Sequence, residues 1–441
     1  MAVSTPPVLS GALPVIGHTI EMLRSRDRLF KRGYQELGDL FTLKLGPLNV
    51  LVVTGAEYNK QFYTETDKSL TMREGYDFLR EAIGEVLFTA NTETYYNQRP
   101  VLQEAFRRER MVGYIRAMNI EVQDWLDGLG QSGEVDLSAE MLKVTQYVAG
   151  RAFVGDDFRE ELSDVFWKHY EAIGASLDPV LPPNLPLPKF FRRDRARAKL
   201  RTIMAGLIAK RRANPDQYND VVSILINTPC KDGTLIPDDA IVNIFIGLIF
   251  AGHETTAGQA AWSLALLMQH PQHLARVRDE IAAHVAAPHE SITHQVMSKL
   301  EYTYWAIDET TRMHPSADTQ LRTVGTPIEI GGYHIPTGWR LMVNATNSHN
   351  LSETFSQPGV FDPSRYSPER GEGKNPFAIV GFGGGMHKCT GMNFAKNEMA
   401  VIIAKFFQQF DVELLSDDIH VVSGNGANRA SAVRVRYSRK A

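Results

Sequence analysis

The sequence predicts a mainly α-helical protein carrying small β-sheets (α+β), folded as a single domain over residues 1–441. Three observations carry that prediction. Apolar residues recur at helical spacing at 200–212, 241–268, 273–285, 304–313 and 392–410. Two short strand pairs punctuate these stretches. No repeat, low-complexity tract or shift in composition marks a boundary, although the length alone would allow about three domains.

In chain order, residues 1–40 hold Pro6, Pro7, Pro14 and Gly17 and read as an arm lying on the surface. Segments 41–45 and 49–53 read as strands turned by Gly46-Pro47. Proline gathers at 178–188, which reads as an irregular connection. The basic run Arg192, Arg193, Arg195, Arg197 and Lys199 reads as a solvated helix face. The apolar run 241–252 contains Asn243 and falls short of the ~20 residues a spanning helix needs, so it reads as part of a buried core helix. A second strand pair, 326–330 and 333–335, turns at Gly331-Gly332, and 356–374 is a second irregular connection.

Composition narrows the function. Hydrophobic residues make up 43% and charged residues 22% of the chain, which excludes a disordered, collagen-like or multi-span membrane protein. A net charge of −4 carries no footprint for nucleic acid. Two cysteines, Cys230 and Cys389, exclude a disulfide framework and favour a reducing compartment. The first residues lack a basic stretch followed by an apolar one, so a cytoplasmic, bacterial protein without a transmembrane segment is expected.

The chemistry concentrates in three places. Phe382-Gly-Gly-Gly-Met-His-Lys-Cys389-Thr-Gly391 fits F-x-x-G-x-x-x-C-x-G, a pattern expected by chance roughly 0.0006 times in this composition. A cysteine thiolate is an axial haem ligand that favours O–O cleavage. A helix starting near Thr390 would aim its N–H groups at the Cys389 sulfur and keep it ionised. Gly383, Gly384 and Gly385 would let the backbone pass close to a flat porphyrin, and Phe382 would keep water from the sulfur. Cys230 sits in a turn without such a cradle and reads as an incidental thiol.

The second place is the central helix. Ile244, Leu248, Ala251 and Thr255 share one face. A small residue there leaves room for a ligand, and a hydroxyl beyond it can donate to bound dioxygen. Glu254 beside Thr255 makes an acid–alcohol pair suited to passing protons inward; the bland alternative is a polar kink in which Thr255 bonds back to its own helix. Gly252 in mid-helix costs about 1 kcal/mol relative to alanine and asks for a reason. The third place is Glu309-Thr-Thr-Arg312, whose ends share a helix face three residues apart. Its expected role is structural, bracing the segment around Phe361-Asp-Pro-Ser-Arg365-Tyr366, with Arg365 as a third member.

In this order the motifs resemble the cytochrome P-450 family of haem-thiolate monooxygenases, with a more distant similarity to the bacterial sterol 14α-demethylase branch. The resemblance implies the P-450 fold, a single domain with haem buried between two central helices: an arm at 1–40, an oxygen-activating helix at 241–268, and the cysteine loop with its helix at 376–410. It implies haem b (iron protoporphyrin IX) with Cys389 on the iron, and Phe382, Gly385, Gly391 and Ala251 beside it. Tyr95-Tyr-Asn-Gln-Arg99 stands where the family carries W-x-x-x-R, which implies a propionate contact for Arg99 and a weaker one for Tyr95. Arg322 and His387 match two further propionate positions. Thr255 and Glu254 become the catalytic pair. Glu254-Thr255 departs from the demethylase pattern and points to hydroxylation of a different substrate.

The implied pocket spans 74–87, 176–187, 316–320 and 424–428 with the central helix. Its residues include Tyr76, Phe78, Leu79, Ile244, Leu248, Ala251, Ser316 and Ala317, with Asp318 and Asn425 as polar anchors. The implied reaction is hydroxylation or oxidative demethylation, using O2, of a hydrophobic sterol, steroid, terpenoid or fatty acid. Electrons would come from a separate ferredoxin or flavodoxin with its NAD(P)H reductase, docking on a monomer near Lys388, Lys396, Arg107 and Arg108. The rivals are a haem-thiolate isomerase or peroxide-dependent enzyme of the same fold, and a non-catalytic haem-binding protein.

Overall fold

A computed structural model of the chain describes residues 4–178, 185–287, 289–424 and 426–440. They form two compact units, Met1–Asp77 with Thr311–Cys389, and Phe78–Thr310 with Thr390–Ala441.

The first unit is built on a five-stranded sheet in the order Leu40–Leu45, Leu48–Val53, Arg340–Asn344, Thr319–Val324, Leu70–Thr71. The first two strands pair antiparallel with Leu40 opposite Val53, around the turn predicted at Gly46-Pro47. The second runs parallel to Arg340–Asn344, with Val50 opposite Arg340. One face of the sheet buries Leu51, Val53, Leu341 and Val343 against Phe62 and Tyr63. The other buries Phe41, Leu43, Val50 and Val52 against Leu29 and Phe30. A sheet covered on both faces explains why 50–53 reads as an unbroken apolar run rather than an alternation. Each such side chain contributes about 1.5–3 kcal/mol on burial. The second predicted strand pair forms Ile328–Ile330 against Tyr333–Ile335. Its turn requires Gly331, whose φ is 56° and where a Cβ would lie 2.3 Å from Leu40.

The second unit is helical. Its axis is the central helix Asp238–Gln269, 32 residues long. Asp238 and Asp239 in the first turn suit the positive end of the helix dipole. Pro271 opens the next helix, Pro271–His284, a position where its missing N–H costs nothing. The central helix packs against Leu137–Val154, Met392–Gln409 and the strand Asn428–Ala430. It is apolar on nearly every side because it is covered on nearly every side. By length and composition it is long and apolar enough to cross a membrane, and 56% of its most apolar window is buried inside the protein.

The basic run is not a solvated face. It lies on the helix Pro188–Ala213, which begins well before the predicted residue 200. Arg192, Arg195 and Lys199 are exposed, but Arg193 is buried and Arg197 half-buried. Positions 193, 196, 200, 204, 207 and 211 are among the buried stripe of this helix; Arg193 and Arg211 fall on it and Arg197 beside it. The proline-rich connection before it lies in part, at 179–184, outside the described residues.

Two glycines of the central helix make opposite predictions. At Gly258 an added Cβ would lie 2.8 Å from the Asn428 carbonyl oxygen, whereas at Gly252 it would meet nothing within 4 Å. Gly258→Ala is expected to destabilise by about 1–3 kcal/mol through overpacking. Gly252→Ala should stabilise the apoprotein by up to about 1 kcal/mol. Urea unfolding of both variants measures the difference.

Candidate active site

The cysteine loop is held at its root. Val380, fully buried, has both backbone polar groups satisfied by side chains from distant segments. Its N–H donates to His349 Nε2 at 2.8 Å, and its carbonyl accepts from Gln320 Nε2 at 2.9 Å. Tyr63 Oη donates to the other end of Gln320 at 2.8 Å. Three residues upstream, Asn59 Nδ2 donates to the Phe377 carbonyl at 3.0 Å. Beyond the root the loop closes on itself: Gly383 N–H donates to the Val380 carbonyl at 2.9 Å and Cys389 N–H to the Phe382 carbonyl at 2.8 Å. Gly383 and Gly385 take φ of 72° and 57°. At Gly384 a Cβ would lie 2.7 Å from the Tyr63 ring. The glycines therefore answer to turn geometry and to Tyr63 within this unit. Phe382 is half-buried, and the Cys389 side chain is exposed, three residues ahead of the helix Met392–Gln409. Gly391 is the N-cap of that helix.

His349 was not singled out from the sequence, yet it links two motifs. Its Nε2 accepts from Val380, so its Nδ1 carries the proton and donates to the Arg312 carbonyl at 3.0 Å. Burial holds its pKa down at about 3. Arg312, Arg365 and Glu309 are all fully buried. Arg312 reaches the His349 carbonyl at 2.8 Å and the Val360 carbonyl at 3.5 Å. Arg365 donates to the same Val360 carbonyl at 2.9 Å, to Ser356 at 2.8 Å and to Glu372 at 2.7 Å. Burial raises the Glu372 carboxyl, but hydrogen bonds from Arg370, Ser356 and Arg365 outweigh it and bring it to about 2. Glu372 is thus a carboxylate partner of Arg365 that the sequence reading missed.

Two predicted propionate positions have partners in their own unit. His387 Nε2 meets Asp67 Oδ2 at 2.5 Å, both side chains nearly buried. Arg322 is buried, donating from Nε to Thr66 Oγ1 at 3.2 Å and from Nη1 to the Leu321 carbonyl at 2.8 Å, with its guanidinium over Phe62. Asp318 is no open anchor: it is buried and paired with Arg26 at 2.9 Å. Ser316 beside it is buried and Ala317 exposed, while Tyr76 Oη accepts from the Leu321 N–H at 3.3 Å.

In the helical unit the central helix opens on one face. Ile244 is buried, but Leu248 and Thr255 are half-exposed and Ala251 and Gly252 exposed, in a helix otherwise covered. Thr255 Oγ1 donates to the Ala251 carbonyl at 2.7 Å. The hydroxyl therefore bonds back within the helix, as the bland alternative had it, beside the open stripe. Glu254 lies under the hairpin of strands Val421–Ser423 and Asn428–Ala430: a Cβ on Gly424 would fall 2.8 Å from its Oε2. His253 is buried, with Nε2 on the Leu142 carbonyl at 2.9 Å, and burial lowers its pKa to about 4. Arg99, half-buried on the helix Thr92–Ala105, has a buried Nε without a hydrogen-bond partner among the described residues. Tyr95 on the same helix is buried against Tyr96. Leu79 is buried; the Phe78 side chain and Asn425 lie outside the described residues.

Each unit by itself carries side chains whose chemistry suits haem: in the first, a cysteine displayed on a braced loop; in the second, exposed small residues at Ala251-Gly252 and an arginine whose buried Nε has no partner among the described residues. The family model described as Cytochrome P450 matches residues 6–426. The chain belongs to the cytochrome P450 family. As a cytochrome P450 it is a haem-dependent monooxygenase. It is 29% identical to a sterol 14-demethylase of Arabidopsis thaliana, over 99% of this chain and 91% of that one. It is equally similar, at 29%, to a sterol 14alpha-demethylase of Mycolicibacterium vanbaalenii, over 100% and 99% of the two chains. The retinoic acid bound cyanobacterial CYP120A1 superposes with a TM-score of 0.90 at 27% identity, covering 100% of both chains. The P450 fold is therefore present over the whole chain.

Acid should attack this P450 at His349. A histidine whose folded pKa is depressed contributes stability fully present above its unfolded value, near 6.5, and lost as pH falls toward about 3. Each pH unit inside that window costs up to about 1.4 kcal/mol for such a group. His253 and His314, both held near 4 by burial, act in the same direction. His349→Gln should lower stability at pH 7 by about 1–3 kcal/mol and flatten its decline between pH 6.5 and about 3. Urea unfolding across that range reads both effects.

Proposed function

We propose that this P450 hydroxylates, or oxidatively demethylates, an apolar small molecule of the sterol, steroid, terpenoid or fatty-acid class, with haem b held by Cys389 and electrons from a separate ferredoxin or flavodoxin system. The observation that carries the reading is the exposed Cys389 on a loop whose buried root is fixed from two sides. The relatives support the substrate class: the curated ones are named as sterol demethylases, and the solved neighbour holds retinoic acid.

When bound, haem supplies dioxygen activation and insertion of one oxygen atom into a C–H bond. The chain supplies the rest. Cys389 gives the thiolate ligand, and the hydrogen bonds at Val380 fix where its loop begins. Arg99 neutralises a propionate with its unsatisfied Nε. Arg322 and Tyr95 are further propionate candidates, and His387 shares its carboxylate-binding nitrogen with Asp67. Ala251 and Gly252 leave a flat opening. With haem bound, Thr255, whose hydroxyl now donates to the Ala251 carbonyl, would be the hydrogen-bond donor to dioxygen, and Glu254 would be the acid that resupplies its proton. Leu248, Ile244 and Leu79 give the substrate an apolar wall. For the electron donor, Lys388 in the first unit and Arg108 in the second are exposed cations, while Arg107, also exposed, is paired with Glu104 at 2.8 Å. Lys396 is tied to Asp308, so it adds little to a docking surface.

The carbon-monoxide difference spectrum of the reduced protein tests the ligand. The wild type should give the strongly red-shifted band of a thiolate, and Cys389→Ser should lose it while Cys230→Ser keeps it. A wild-type band at the position of histidine-ligated haem would overturn the reading. With a surrogate ferredoxin and its reductase, Thr255→Ala should divert several-fold more of the consumed electrons to hydrogen peroxide, and Thr255→Ser should restore coupling.

A further inference from the structure

The arginine-rich helix Pro188–Ala213 turns one row of cations inward. Arg193, Arg197 and Arg201 are spaced four residues apart and follow one face. Their exposure grades along it: Arg193 is buried, Arg197 half-buried and Arg201 exposed. The helix packs against the central helix. Arg197 also reaches the short helix Asp77–Ile83, donating from Nη1 to the Glu81 carbonyl at 3.3 Å. That helix carries Leu79, buried, and Arg80, half-buried.

The charges acting on Arg197 are Arg201 and Arg193 on its own helix, and Glu81 and Asp194. Arg193 meets Asp194 at 2.8 Å, and that carboxylate is more than half exposed. Glu81 offers Arg197 only its carbonyl among the hydrogen bonds described, and its carboxylate acts at longer range. The Arg197 Nε is buried and has no hydrogen-bond partner among the described residues. Burial, and then Arg201 and Arg193, lower the Arg197 pKa. A buried, incompletely paired guanidinium is costly, and a carboxylate with two oxygens is the group its fork accepts. The contrast on the same helix is Arg211, which is 1% exposed in its side chain yet fully engaged by Asp220, Asp157 and the Val154 carbonyl.

We propose that Arg197, with Arg193 beside it and Arg201 at the outer end of the row, binds the carboxylate of an apolar acid substrate. The inference rests on the apolar substrate class given above and narrows it to amphipathic acids. Arg201 supplies attraction at the surface, Arg197 the charge-assisted hydrogen bonds, and the adjoining Leu79 and Phe190 an apolar lining for the chain next to the carboxylate.

The test compares dodecanoic acid with 1-dodecanol, by the haem spin shift and by titration calorimetry at pH 7.5. The wild type should bind the acid at least about tenfold more tightly than the alcohol, the size expected for a hydrogen bond to a charged group. Arg197→Gln should abolish that preference by weakening the acid alone. Arg197→Lys should retain part of it, and Arg192→Gln, on the exposed face, all of it. Equal affinity for acid and alcohol in the wild type, or an unchanged preference in Arg197→Gln with normal secondary structure, overturns the carboxylate site and leaves the apolar-substrate reading standing. Binding of neither ligand, in a protein with the thiolate spectrum, overturns both.

Discussion

The cysteine loop depends on the two hydrogen bonds at Val380. A loop carrying four glycines over 381–385 has little conformational preference of its own, and fixing each such residue costs about 1–2 kcal/mol of backbone entropy. The loop is therefore only as well placed as its root. The root is buried, so its N–H and carbonyl cannot turn to water, and losing either partner leaves a buried polar group unmet. His349 and Gln320 supply the partners from opposite directions. Because His349 also holds the carbonyl of Arg312, the Glu-x-x-Arg helix and the cysteine loop share one neutral imidazole. Arg312 and Arg365 then meet at the Val360 carbonyl, which ties the irregular segment at 356–374 to the same frame.

The central helix answers a different constraint. It is covered by other elements along almost its whole length, and the exception is a stripe one or two side chains wide. Gly252 sits in that stripe with open space beyond it, so its use is not explained by crowding from the chain. Gly247 and Gly258 are the reverse, each needed because Val86 or the Asn428 backbone comes too close for a Cβ. One helix thus uses glycine for close packing twice and for clearance once. That open space stands next to Thr255, whose hydroxyl bonds back to the Ala251 carbonyl.

Much of this was legible in the sequence because it is local. The cysteine motif, the strand pairs turned by Gly46 and Gly331, and the Glu309–Arg312 spacing all lie within a few residues. What escaped is long-range. His349 reaches Val380 across 31 residues, Asn59 reaches Phe377 across 318, and His387 reaches Asp67 across 320. No periodicity announces such pairs. Asp318 reads as a pocket anchor until Arg26, far back in the chain, is seen to neutralise it. The arginine-rich helix failed for a related reason: charge suggested solvent, but the 3.6-residue repeat of the helix places Arg193 and Arg197 beside the apolar stripe whatever their charge.

The buried arginines fall into two kinds, and the difference separates scaffold from site. Arg211, Arg312 and Arg365 are almost fully buried, and carbonyls or carboxylates of the chain engage them from several sides. A protein that places a guanidinium in its interior for stability alone must satisfy it in this way, since the desolvation penalty otherwise exceeds the gain. Four arginines carry a buried Nε that no described group meets; Arg26 and Arg278 reach Asp318 and Asp411 through Nη2, which leaves Arg99 and Arg197 without a carboxylate hydrogen bond among the described residues. Both are half-buried rather than sealed, so an anion from outside the chain can reach them. Under the proposals made above, a haem propionate would meet Arg99 and a substrate carboxylate Arg197.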